Sequence, residues 1–120
     1  EKDTRQRCAR VLYLLLGFAD RNPGITRVLL GDALVGETPR LHVRVEQFFA
    51  RLETQLKQIL RESRMREGAR ERPEPELGAG LMLVVVEGRM HQYLRTRFKV
   101  SPLDKWESHW GLLEPTLFPD

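Results

Sequence analysis

Between Glu76 and Phe98 the chain carries apolar residues on two sides of one helical segment. At about 100° per residue, Leu81, Val84, Val85 and Gly88 fall to one side, and Leu83, Val86, Met90 and Leu94 fall to another. A helix that is apolar nearly all round must be covered on both sides. In a chain of 120 residues one cover is the chain's own core, and a second subunit supplies the other. Gly78, Gly80 and Gly88 would let another backbone approach closely. The β-branched run Val84–Val86 also suits a strand, but no second strand-like segment exists to pair with it.

The remaining segments are helical too. A first helix is expected from Thr4, its cap, to Asn22, with Cys8, Val11, Leu12, Leu15, Phe18 and Ala19 as its apolar stripe. Asn22-Pro23-Gly24 stops it, because a residue before proline is pushed out of the helical region. A short helix follows over Ile25–Leu30, Gly31 interrupts it, and a further turn reaches Val35. Thr38 and Pro39 then read as cap and first residue of a long helix ending near Arg66. Its stripe is Leu41, Val45, Phe48, Leu52, Leu56 and Ile59. Glu67 to Pro75 reads as a linker, rich in proline and alternating charge. Ser101 and Pro102 start the last helix, which carries Leu103, Trp106, Trp110 and Leu113 on one face to about Pro115. Tryptophan is frequent at interfaces, and two on one stripe bury a large area. The pattern predicts an all-α bundle of about five to six helices.

Composition narrows the function. The net charge is +3, with acidic residues mixed among the arginines, which is short of the dense positive field of a dedicated nucleic-acid binder. No apolar run approaches the roughly 18 residues of a membrane span. The single cysteine, Cys8, sits beside Val11 and Leu12 and reads as buried packing in a reducing compartment. His42, His91 and His109 lie on three helices without ligand spacing, so no metal, cofactor or catalytic residue is expected. Glu87, inside the most apolar helix, reads as one member of an ion pair with Arg89, Arg95 or an arginine across a dimer interface. The chain opens on Glu1 with helix-like sequence almost at once, and is expected to be a fragment or a processed form.

One strip on the first helix stands apart from the core stripe. Leu14, Gly17 and Arg21 follow i, i+3 and i+7 spacing. A leucine beside a glycine, with an arginine at the end, makes a shallow apolar notch with a cationic rim. It suits a peptide with acidic residues, and equally a wide core stripe with a solvated arginine.

Several blocks carry more than periodicity: Leu14-Leu15-Leu16-Gly17-Phe18, Arg21-Asn22-Pro23-Gly24, Thr26-Arg27, Gly31, Arg61-Glu62, Arg64-Met65-Arg66-Glu67-Gly68, Glu87-Gly88, Phe98-Lys99 and Trp110. Their order and spacing closely resemble the C-terminal domain of the nucleoid occlusion factors of the TetR family. The resemblance implies a TetR-type C-terminal regulatory and dimerisation domain over 1–120, its N-terminal helix-turn-helix head absent. It implies a non-enzymatic cytoplasmic, nucleoid-associated protein that binds DNA only through that head. It also implies antagonism of the tubulin-like division protein FtsZ, whose acidic C-terminal tail is contacted by Leu14, Gly17, Arg21 and Asn22. Homodimerisation through the last two long helices is implied as well, and Leu83, Val86, Met90, Leu94, Trp106 and Trp110 are the expected interface. The family builds part of the FtsZ groove from the helix before Glu1, so the chain alone is expected to bind the tail weakly. The stretch Ala69–Pro75 departs from the family pattern. Two other readings stand beside this one: a bare dimerisation module, and a small-molecule sensor. The sensor requires an internal cavity of roughly 300 Å³ or more, lined from Phe48, Phe49, Met82 and Tyr93, with Glu87.

Overall fold

Asp3 starts the first helix. Its carboxylate accepts from the backbone N–H of Arg5 at 2.8 Å and of Gln6 at 3.4 Å, satisfying donors that a helix start leaves open. The expected cap, Thr4, is instead the first helical residue and is buried. The computed structural model describes residues 3–31, 39–66 and 72–119. Among these, every regular element is a helix: α1 (Thr4–Arg21), α2 (Pro23–Leu29), α3 (Pro39–Arg66), α4 (Pro75–Arg95) and α5 (Trp106–Leu117). The turn expected to reach Val35, the Thr38 cap and linker residues 67–71 lie outside the described residues.

The α1–α2 corner is a polar clamp. The Asn22 backbone N–H donates to the Ala19 carbonyl at 3.2 Å, and its Nδ2 donates to the Phe18 carbonyl at 2.8 Å. Buried Thr26 holds its Oγ1 2.9 Å from the carbonyls of both Ala19 and Asn22, so its one proton serves one of them at a time. Pro23 opens α2, where a missing N–H costs nothing.

The core is built mainly by α1, α3 and α4. Leu60 of α3 packs where α4 passes at Gly78, while Phe49 and Glu87 share a cavity farther along, so α3 and α4 run antiparallel. Arg7 pairs with Glu62 near the end of α3, and the Tyr93 hydroxyl donates to the Asp20 carbonyl at 2.7 Å. These contacts set α1 parallel to α4. Cys8, Leu12, Leu16 and Ala19 enter the core from α1, Leu52, Leu56 and Ile59 from α3, and Met82, Val86 and Met90 from α4. The α1 stripe is therefore rotated from expectation: Leu16 is inside and Phe18 is exposed. On α3, Phe49 is buried and Phe48 is exposed against its edge.

Two helix ends differ from the sequence reading. Helix α4 stops at Arg95, because the Arg97 N–H turns back to the Leu94 carbonyl at 3.0 Å and the Phe98 N–H to the Tyr93 carbonyl at 2.7 Å. This is the Schellman pattern, completed by contact of the Phe98 and Tyr93 rings at 5.1 Å. Ser101 and Pro102 form a turn, with Ser101 Oγ accepting from the Leu103 N–H at 3.1 Å, and α5 begins only at Trp106. Helix α5 passes through Pro115 to Leu117, which with Phe118 closes the bottom of the core.

Candidate protein-interaction site

The outward face of α1 carries Leu14, Phe18 and Arg21, spaced by four and three residues and all exposed. Leu14 keeps 55% of its surface in solvent, although the neighbouring Leu12 and Leu16 keep none. Gly17 forms the floor between them and is buried. A Cβ at Gly17 would stand 3.3 Å from Arg21 Nη1 and 4.0 Å from Leu103 Cδ1. The guanidinium thus lies over the glycine, and the α4–α5 connection walls the notch. Beside it, Tyr13, Leu103, Lys105 and Trp106 line a second depression of about 350 Å³. Asn22 ends the strip and turns the chain into α2, so its side chain fixes the helix end rather than extending the apolar face. The structure therefore brings Leu14, Gly17 and Arg21 together and adds Phe18 and Tyr13. The run Val11–Phe18 is continuously apolar, so its sequence alone could not say which side faced in.

The second candidate face is on α4. Val86 and Met90 are fully buried in the chain's own core, and Trp106 and Trp110 are nearly so. This corrects the expected dimer contacts, since none of these four can present much side chain to another subunit without unpacking its own fold. Leu83 and Leu94 are half-buried. The outward stripe is instead Leu77, Leu81, Val84 and Gly88, at steps of four, three and four, with Leu77 70% and Val84 66% exposed. Leu112 on α5 is 76% exposed. Open space surrounds Gly80 and Gly88, but Gly78 is packed internally: a Cβ there would meet Leu60 at 2.8 Å and Leu117 at 3.3 Å.

Other sequence candidates resolve differently. Arg89 turns away from Glu87. Its Nε donates to the Pro102 carbonyl at 2.8 Å, Nη2 to the Asp104 carbonyl and Nη1 to His109 Nδ1. An arginine only donates, so His109 Nδ1 is the acceptor in this contact. Glu87 lines a cavity of about 230 Å³ with Glu46, His42, His91 and Phe49. Burial, and then the charge of Glu46, hold its carboxyl above the usual carboxylate range. Two of the histidines are thus close in space though far apart in sequence. Among the described residues, no group of three or more His, Cys, Asp or Glu is placed to hold a metal ion. Met82 and Tyr93 are core residues and Phe48 is exposed, so the residues expected around a sensor pocket do not enclose one cavity. Cys8 is fully buried, and burial pushes its thiol up to about 12. No described helix is long and apolar enough to cross a membrane.

Residues 2–117 match the SlmA-like family described as tetracyclin repressor-like, C-terminal domain. Over 117 residues, 98% of this chain, the sequence is 52% identical to the nucleoid occlusion factor SlmA of Shewanella amazonensis. It is 50% identical to that of Shewanella halifaxensis and 49% identical to that of Shewanella pealeana. The chain spans 59% of the length of each of these relatives.

Proposed function

Because the chain belongs to the SlmA-like family of tetracycline-repressor-like C-terminal domains, we propose that it is the dimerising, FtsZ-docking part of a nucleoid occlusion factor. In this reading an N-terminal helix-turn-helix head holds the protein on the chromosome, in the cytoplasm. This domain then takes the acidic tail of FtsZ and keeps the division ring from assembling there. The role is binding and needs no catalytic residue.

The observation that carries the docking reading is the α1 face. Leu14 and Phe18 offer apolar surface, and Arg21, whose guanidinium lies over the buried Gly17, meets the tail's negative charge. Large exposed apolar side chains gathered on one face are unusual unless something covers them. The outward stripe of α4, with Leu112, supports the dimer in the same way.

The docking reading is tested by titrating a labelled peptide of the FtsZ tail into the protein extended to the length of its relatives. Leu14→Glu and Arg21→Asp each weaken binding by about tenfold or more if the notch holds the tail. Parent-like affinity in both variants removes the assignment. Sedimentation tests the dimer: Val84→Glu gives monomers, whereas a parent that is monomeric at high micromolar concentration overturns it.

A further inference from the structure

We propose that an acidic peptide docked at the Gly17 notch continues across Leu103 and seats an apolar side chain in the depression beside Tyr13. This rests on the tail-docking reading and adds to it a second contact and a spacing. The notch and the depression share a wall. Leu103 Cδ1 stands 4.0 Å from the position of a Cβ on Gly17, and Leu103 also lines the depression of about 350 Å³ with Tyr13, Lys105, Trp106, Glu107 and Ser108. Leu14 and Tyr13 lie three and four residues before Gly17, and at about 100° per residue they fall on opposite sides of it. A peptide lying over Gly17 therefore meets Leu14 on one edge and Tyr13 on the other.

Tyr13 is the part of this surface that the chain itself does not use. It keeps 52% of its surface in solvent, and among the described residues it makes no hydrogen bond, ion pair or ring contact. An aromatic ring that faces water beside apolar walls is a frequent interface anchor. Trp106 is nearly buried and held by Arg89, so that wall is fixed before any partner arrives. Lys105 and Glu107 bring one charge of each sign, so the depression selects an apolar group while Arg21 selects the acidic one. The geometry also sets their separation. Arg21 Nη1 stands 3.3 Å from the Gly17 Cβ position, which puts its charge one helical turn, about 6 Å, from Tyr13. Residues i and i+2 of an extended chain point to one side about 7 Å apart. A short peptide is not helical by itself in water, so the extended form costs least to dock. The acidic and the apolar residue are therefore two positions apart.

Titration of the labelled FtsZ tail peptide into the protein extended to the length of its relatives tests this. Tyr13→Ala should weaken binding about fivefold or more, and Tyr13→Phe, which keeps the ring, should stay within about twofold of the parent. Both variants should melt like the parent, because Tyr13 is exposed and anchors nothing in the core. Alanine replacement along the peptide then locates the partners. The apolar residue whose loss is no longer felt in Tyr13→Ala should stand two positions from the acidic residue whose loss is no longer felt in Arg21→Ala. Leu14→Glu and Arg21→Asp separate the two claims. If they weaken binding and Tyr13→Ala does not, the notch stands and the second contact is overturned. If the parent does not bind, or none of the three variants matters, the docking reading falls and the second contact with it. A coupled pair three or four positions apart, as in a helix, or an effect of Tyr13→Ala on sedimentation alone, also overturns the proposal.

Discussion

The Arg89 guanidinium lies 5.2 Å from the centre of the Trp106 ring, while its three nitrogens reach the Pro102 and Asp104 carbonyls and His109. One side chain on α4 therefore holds the second half of the α4–α5 connection, at Pro102 and Asp104. The same connection supplies Leu103 to the Gly17 notch.

Replacing Arg89 by alanine leaves these acceptors without their donor and removes the cation from the indole face. Stability should fall by about 2–3 kcal/mol, read from the urea midpoint. The three donors of a lysine all leave one nitrogen and do not reach acceptors spread around a guanidinium fork, so Arg89→Lys should recover less than half of the loss. A near-neutral Arg89→Ala would mean that the connection is held by Trp106 and Leu103 packing alone.

Val84 and Val86 stand two residues apart on α4 and should behave in opposite ways. Val86→Ala removes methyl groups from a filled core and should cost about 2 kcal/mol in unfolding free energy at any protein concentration. Val84→Ala should change the unfolding of a single chain by less than about 0.5 kcal/mol. It should instead lower the concentration dependence of the melting midpoint, since its surface is offered outward. The reverse pattern would return Val86 to the interface.

The glycines of α4 divide in the same manner. Gly78→Ala drives a Cβ to 2.8 Å from Leu60 and should destabilise by about 1–3 kcal/mol. Gly80→Ala meets open space within the chain and should gain up to about 1 kcal/mol in the monomer from helix propensity. Thermal melts of the two variants, compared at low protein concentration, check both signs.

Cys8 makes stability sensitive to alkali. Burial raises its thiol from about 9 to about 12, and Arg7 pulls it back only in part. The folded state thus holds a proton that the unfolded chain releases above about pH 9. Stability is fully present below pH 9 and is lost progressively toward pH 12, by an amount of order a few kcal/mol. Cys8→Ala should show a constant loss from its small cavity but a flatter profile over that window. At pH 8 the parent thiol should react with a thiol reagent only at the rate of unfolding.

Much of this molecule was legible locally. The Asn22-Pro23-Gly24 break and the helical state of Val84–Val86 follow from proline sterics and from the lack of any strand-like segment to pair with. The Leu14, Gly17 and Arg21 strip was legible as well, because helical spacing fixes which residues share a side. Phe18 and Tyr13 were not assigned to that face, since an unbroken apolar run allows more than one stripe. The cap at Asp3 rather than Thr4 was lost to a one-residue shift that only hydrogen-bond geometry settles.

The two-sidedness of α4 was determined by its sequence, because a helix apolar all round needs two covers wherever it sits. Which side turns inward was decided only by the tertiary structure. Met82, Val86 and Met90 go in and Leu77, Leu81 and Val84 stay out because α3 and α1 pack along one side of α4 and the Arg89 anchor folds α5 onto it. Periodicity fixes the angle between residues on a helix; the direction of the core is set by what the rest of the chain places beside it.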